Sequence, residues 1–381
     1  MNDRNRKTDT NEIDSRKQPL WYSGRYFDYP LFGIVLGLVL FGLVMVYSTS
    51  SYRADELYDD STYFAKRQLV FELVALVGMF LVSKIDYRRY ARYSKYFLYV
   101  AIALLVLVYI IGSASHGSTR WIYIGAFGFQ PSEFAKLALI VYTADICTRK
   151  PRSLNTIKGL AKMLLLPLIT IVLIAIENLS TAIICFGIVM IIVFVASPKN
   201  WHFILMGVLG ILMCVVFIAT AGYRADRIRI WLAPEKYDDG YQTMQSLYAI
   251  GSGGFFGRGL GNSIQKMGFI PESHNDMIFS VICEELGLFG AVLTIIMFIL
   301  LIYRCTVLAI NSGDRFGGLI AVGVMAHIAV QVLINISVVT NTIPPTGVPL
   351  PFISYGGSSI FFLLLEMGLM FAVARQIKPG R

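Results

Sequence analysis

Apolar runs long enough to cross a bilayer recur from Leu31 to Ile377, and nothing else in the 381-residue chain restricts its fold as much. A helix rises about 1.5 Å per residue, so about 20 apolar residues cross roughly 30 Å of hydrocarbon. A soluble domain has no use for a series of such runs. It would also carry more charge: only 15% of residues are charged here, against roughly 25% in ordinary globular usage. The spans fall near Leu31–Tyr47, Gln68–Ile85, Tyr96–Gly112, Pro131–Thr148, Gly159–Ile176, Leu179–Ala196, Phe203–Ala221, Met277–Tyr303, Phe316–Val339 and Phe352–Ala374. The expected fold is all-α, a polytopic membrane protein of about ten transmembrane helices.

The loops between these spans alternate in charge. Arg88, Arg89, Arg92 and Lys95 follow span two, Arg149, Lys150, Arg152 and Lys158 follow span four, and Lys199 follows span six. Arg304 and Arg315 flank the turn after span eight, and Lys378 and Arg381 end the chain. All fall on the side of the N-terminal tail, with its Arg4, Arg6, Lys7, Arg16 and Lys17, and positive charge marks that side as cytoplasmic. The opposite loops are acidic or sparse: Asp55, Glu56, Asp59 and Asp60 after span one, and Arg120 after span three. Both termini are therefore expected in the cytoplasm. Residues 1–26 read as a disordered tail, 27–377 as the membrane domain and 378–381 as a short cytoplasmic end. The net charge of +9 is spent on this topology and on anionic lipid, and no nucleic acid is expected, because no basic segment is interleaved with exposed aromatics. Cys147, Cys185, Cys214, Cys283 and Cys305 lack CxxC spacing and read as packing residues within or at the ends of helices.

One stretch stands apart. Residues 222–277, between helices seven and eight, form a large extracytoplasmic loop, yet they carry Arg224, Arg227, Arg229, Lys236, Arg258 and Lys266. So long a loop is uncommon as a mere connector, and its basic charge suggests an anionic substrate or lipid headgroup outside. The loop ends in Pro271-Glu-Ser-His-Asn-Asp276, where Asp276 is either a general base or a helix cap for span eight, with His274 and Glu272 as neighbouring alternatives. Glu133 and Lys136, three apart in Gln130-Pro-Ser-Glu133-Phe-Ala-Lys136, share a face at the outer end of span four, as a structural ion pair or as part of the same outer cavity. Glu72, Glu284, Glu285, His327 and Glu366 lie within spans and read as bonded structural groups, with a proton path as the alternative. The glycine-rich Gly251–Gly261 has neither dinucleotide nor Walker spacing and reads as a tightly turned or re-entrant backbone. The four prolines between Ile343 and Ser359 forbid a regular helix, leaving hydroxyls and backbone to meet a polar headgroup.

Together these segments resemble the SEDS family (shape, elongation, division and sporulation). Its landmarks here are Gly42 through Ser48, Gln130 through Lys136, Gly240 through Ser246, Gly259 through Asn262, Pro271 through Phe279, Glu284 through Gly287 and Pro344 through Ser359. The Met-Val-Tyr-Ser and Pro-Pro-Thr-Gly-Val-Pro forms look more like the FtsW division branch than RodA, with spore-cortex relatives next. The resemblance implies a peptidoglycan glycosyltransferase that polymerises lipid II outside the membrane. Its implied partners are a class B penicillin-binding protein, as transpeptidase, and other division proteins. Asp276 matches the family's essential acid, and Glu133 and Lys136 match its helix-four pair. Arg224, Gln242, Ser246, His274 and Ser354 complete the expected substrate-binding set. A divalent cation, magnesium or manganese, or an arginine of the long loop would steady the departing pyrophosphate, although no ligand cluster is readable. Glu177-Asn178-Leu179-Ser180-Thr181 departs from the Pro-Asp-x-Gly-Thr of many members, so no function is carried onto Asn178. The rival expectations are a lipid II flippase, which would use Glu285 and Glu366 at depth, and a scaffold without catalysis.

Overall fold

The structure, a computed structural model, describes residues 27–111, 113–115, 118–124, 127–199, 201–219, 222–271 and 273–377. The expected tails 1–26 and 378–381 lie outside the described residues, as does Glu272. The helices are α1 (Tyr29–Tyr58), α2 (Tyr63–Lys84), α3 (Arg88–Ile111), α4 (Pro131–Arg149), α5 (Ile157–Glu177), α6 (Leu179–Ala196), α7 (Trp201–Ala219), α8 (Gly222–Leu232), α9 (Tyr241–Ser252), α10 (Ile278–Asn311), α11 (Arg315–Val339) and α12 (Gly357–Ala374). Several start where the sequence supplies a cap. Asp28 accepts from Leu31 N, Thr156 from Gly159 N, Asn178 from Thr181 N and Asp314 from Gly317 N, each satisfying a backbone donor that the first turn leaves open. Pro131 sits in the first turn of α4, where its missing N–H costs nothing.

Seven of these helices, α1, α3, α5, α6, α10, α11 and α12, are long and apolar enough to cross a membrane. Helices α2 and α4 fall short of that apolarity because they carry ionisable residues: Lys66, Arg67, Glu72 and Lys84 on one, Glu133, Lys136, Asp145 and Arg149 on the other. Both pack against other helices, α2 along α12, and α4 against α3, α6 and α11. Helix α7 is apolar over only Phe203–Phe217.

Among the described residues, the fold departs from all-α between α3 and α4. A three-stranded antiparallel sheet lies there, β1 (Ser113–Ser115), β2 (Ser118–Ile124) and β3 (Phe127–Phe129), in the order β1-β2-β3. Its register pairs Ile122 with Phe129 and Tyr123 with Gly128. The β-branched and aromatic run Trp121-Ile-Tyr-Ile favours extended backbone, but so short a segment between two membrane spans reads as a mere connector.

The cation-rich side of the bundle is tied together by its own charges. Arg304 pairs with Asp28 at 2.6 Å, Arg88 with Asp314 at 2.8 Å, and Arg149 with Asp145 at 2.6 Å. Arg149 and Arg315 also donate to the carbonyls of Ala91 and Ala196.

The long segment between α7 and α10 is neither an open loop nor a nucleotide cradle. Helix α10 is broken at Gly287 (φ 67°, ψ −162°), and the glycine-rich strap fits into the break. Arg258 N and Gly259 N donate to Glu284 O and Glu285 O, while Leu288 N and Phe289 N donate to Gly254 O and Phe255 O. These bonds replace the helical ones that the break removes. They demand glycine twice over. A Cβ at Gly257 (φ +75°) would sit 2.1 Å from Glu285 O, and one at Gly287 would sit 2.4 Å from Gly257 N. The expected tightly turned backbone is therefore present, held against α10.

Its charges are also accounted for differently than expected. Lys266 is buried on Glu285 at 2.7 Å and on Ser48 at 3.1 Å. Arg258 lies 3.6 Å from Glu284, which also accepts from the Ser263 hydroxyl and from Ile264 N and Gln265 N. Arg229 pairs with Asp226, and Arg227 donates to Pro345 O. Four of the loop's cations thus serve the loop's own structure, which weakens the reading that its charge as a whole exists for an anionic substrate.

Candidate active site

Asp276 is half-buried just before the start of α10. The helix starts at Ile278 with Met277 at its cap position, so neither Asn275 nor Asp276 occupies the cap itself. What fixes this turn is its backbone. Tyr355 N donates to His274 O at 2.9 Å, the Ser354 hydroxyl to Asn275 O at 2.6 Å, and Asn335 Nδ2 to Asp276 O at 2.7 Å. Three successive carbonyls are thus each held by a separate donor from α11 or from the segment before α12. The same Asn335 Nδ2 donates to Val348 O at 2.8 Å, and a Cβ added to Gly347 would lie 3.9 Å from Asp276 Oδ2. The proline-rich segment is therefore a wall beside the carboxylate.

Glu133 and Lys136 form a buried pair at 2.9 Å near the start of α4. Lys136 Nζ also donates to Gln331 Oε1 at 3.2 Å, and Gln331 Nε2 donates to Pro349 O at 2.9 Å. Gln331 and Asn335 stand four residues apart on one face of α11. One face therefore reaches the helix-four ion pair through its first amide and the Asp276 turn through its second. That link, invisible in the sequence, joins the two motifs.

The other expected site residues divide. His274 is buried, its ring 4.8 Å from Phe64 and 5.6 Å from Tyr355. Burial, and secondarily the charge of Arg53, pull it down to about 4, so it is a neutral ring at physiological pH and cannot serve as a cation for phosphate. Ser354 also accepts from Leu350 N at 2.8 Å and is committed to the backbone it braces. Ser246 is buried on Val339 O, at the junction of α9 with α11. Gln242 is partly exposed in the first turn of α9, at a distance from Ser246 of one helical turn. Arg224 belongs to α8, but its side chain lies outside those described. Asn178 caps α6.

Two further cations bear on the surroundings of this turn: the charge of Arg53 on α1 is felt by His274, and that of Arg67 on α2 by Tyr355. The signal in the sequence is position: both stand on a side expected to be extracytoplasmic, where a cation runs against the topological rule. Among the described residues, no three of His, Cys, Asp and Glu converge on one point as a metal site.

The buried, neutral His274 ring makes stability depend on pH. Its proton affinity is depressed in the folded state, so the unfolded chain binds the proton more tightly between about pH 6.5 and about pH 4. Its contribution to stability is fully present above about pH 6.5 and is lost as pH falls through that window. Thermal melting in detergent should decline there, and His274→Phe should flatten the decline. An unchanged slope in that variant would remove His274 as its source.

The chain is similar throughout to known proteins. The sequence profile of the cell cycle protein family of FtsW, RodA and SpoVE matches residues 29–379. Stage V sporulation protein E of Bacillus subtilis is 40% identical over 348 residues, covering 90% of this chain and 95% of that protein. A "Probable peptidoglycan glycosyltransferase FtsW" of Trichlorobacter lovleyi is 37% identical over 358 residues, covering 92% and 94%. Among solved structures, a chain from a peptidoglycan synthase complex that coordinates polymerization and crosslinking superposes with a TM-score of 0.78 at 27% identity, covering 93% of this chain and 100% of that one. The rod shape determining protein RodA of Thermus thermophilus gives 0.69 at 26% identity, covering 95% and 100%.

Proposed function

The chain belongs to the FtsW, RodA and SpoVE family of cell cycle proteins, and from that premise we infer that it is a peptidoglycan glycosyltransferase acting in cell division, working on the outer face of the cytoplasmic membrane. Ten helices, α1 to α7 and α10 to α12, cross the bilayer with both termini inside. The segment from α8 to the start of α10 then lies outside. No nucleotide pool exists there, so the activated sugar arrives on a lipid pyrophosphate, as lipid II. The glycan strands it makes pass to a class B penicillin-binding protein for crosslinking.

The observation that carries this reading is the Asp276 turn. Its three braced carbonyls fix a partly desolvated carboxylate at the mouth of the bundle, tied through one face of α11 to the buried Glu133–Lys136 pair. In the reaction, Asp276 takes the proton from the C4 hydroxyl of the acceptor sugar. That oxygen forms a bond to the anomeric carbon of the donor chain from the face opposite its pyrophosphate. The carbon–oxygen bond to the pyrophosphate breaks, its electron pair leaves with the phosphate, and the configuration inverts. Lys136 contacts the pyrophosphate of the bound donor, and Arg53 and Arg67 supply positive charge as it leaves, where fixed donors stabilise developing negative charge. The described residues do not form a dedicated cage for a divalent cation.

A flippase would need Glu285 and Glu366 as a path at depth, yet Glu285 is bonded to Lys266 and Ser48, and Glu366 to His327. The discriminating experiment supplies labelled lipid II in detergent to the purified chain with its transpeptidase and measures glycan length. Polymer is expected. Its absence under every divalent metal tried, with lipid II translocation retained in liposomes, would favour transport.

A further inference from the structure

His327 of α11 and Glu366 of α12 take no part in the proton transfer above, yet they are buried in the same polar core. His327 Nδ1 lies 2.7 Å from Glu366 Oε2, and its Nε2 lies 2.9 Å from Gln331 Oε1. The orientation of the Gln331 amide is set independently, because its nitrogen donates to Pro349 O. Its oxygen therefore faces both Lys136 Nζ and His327 Nε2. An amide oxygen cannot donate, so His327 Nε2 must carry a hydrogen. The contact with Glu366 then needs a second proton, either on Nδ1 or on the carboxyl oxygen. The pair holds one proton more than a neutral imidazole beside a carboxylate would.

We propose that His327 is a positioning residue for Lys136, acting through Gln331, whose amide oxygen accepts from both. The proposal rests on the reading of Lys136 as a substrate contact. With both N–H donors in place, Gln331 Oε1 is held where Lys136 Nζ meets it. Removing the His327 donor frees the amide to turn, and Lys136 keeps only Glu133. Other ionisable groups face this centre: Glu133 and Lys136 from α4 and Cys185 from α6, which feels the charges of Lys136, Glu133 and Glu366. On α10, Glu284 and Glu285 are already bonded to the strap segment. The proline-rich segment contributes the Pro349 carbonyl, which does not titrate.

The test measures polymerisation of labelled lipid II by the full chain with its partner. His327→Phe removes the donor and should raise KM about tenfold with kcat within about threefold, the loss of roughly one hydrogen bond. His327→Gln keeps an N–H donor near the same place and should hold the wild-type KM. A Phe variant that lowers kcat and melting temperature while KM stays unchanged would mark His327 as merely structural and overturn the proposal. So would a His327→Gln variant whose KM rises as far as that of His327→Phe. A second readout needs no activity: nitrogen-15 NMR of labelled histidine in Asp276→Ala protein. A protonated Nε2 at neutral pH that shifts on adding Lys136→Met is expected. An unprotonated Nε2, or one indifferent to Lys136, would overturn the proposal even if no polymer forms. Absence of polymer from the wild type would count against the polymerase reading alone.

Discussion

Asp276→Asn should leave the protein folded and reduce polymerisation by ~10²–10⁴, the range expected when a positioned general base is lost. Asparagine keeps the volume of aspartate and removes its basicity. The turn itself should hold, because its bonds from Asn335, Ser354 and Tyr355 are made to backbone oxygens of residues 274–276 and not to this carboxylate. Asp276→Ala should behave alike. Asp276→Glu keeps a base but moves it by one methylene, and a misplacement of about 1 Å can itself cost ~10². The measurement is initial rate and glycan length from labelled lipid II, with melting temperature as the control for folding. An Asn variant within about threefold of wild type would leave Asp276 as a structural acid.

Much of this site could be read from residue order. Asp276, Glu133 and Lys136 stand in motifs whose polarity is out of place beside apolar spans, and any charge there is costly enough to demand an explanation. The spacing of apolar runs fixed the helices for the same reason, since hydrocarbon leaves a backbone few ways to satisfy itself. The surroundings of the other expected residues are less legible. Ser354, Ser246 and His274 are visibly polar, but a buried hydroxyl or ring nitrogen says nothing of its partner until the chain is folded. Ser354 finds a carbonyl 79 residues away and Ser246 one 93 residues away. Lys266 and Glu285 could each be seen as a charge, but their pairing depends on a break in α10 that only the φ of Gly287 reveals. Arg53 and Arg67 flank the acidic Asp55–Asp60 stretch in the chain, and only the fold shows them on α1 and α2.

The Lys266–Glu285 pair decides whether the basic character of the long segment serves structure or substrate. Both side chains are buried, at 4% and 0% exposure. Ser48 joins them, its hydroxyl 2.6 and 2.7 Å from the two carboxylate oxygens. Lys266→Met should therefore destabilise the protein by about 3–5 kcal/mol, because it strands a charged carboxylate away from water. Replacing both partners, as Lys266→Met with Glu285→Leu, removes the stranded charge along with the pair. More than half of the lost stability should return, since apolar residues of similar volume often replace a buried ion pair at little cost. A double-mutant cycle on melting in detergent measures this coupling directly. If Lys266 instead existed to meet a lipid pyrophosphate, Lys266→Met would leave melting unchanged and raise KM, and the cycle would show no coupling. The strap that Lys266 anchors inserts into α10 below the Asp276 turn, so the single variant should lose activity in step with its loss of structure, and the double variant should recover both together.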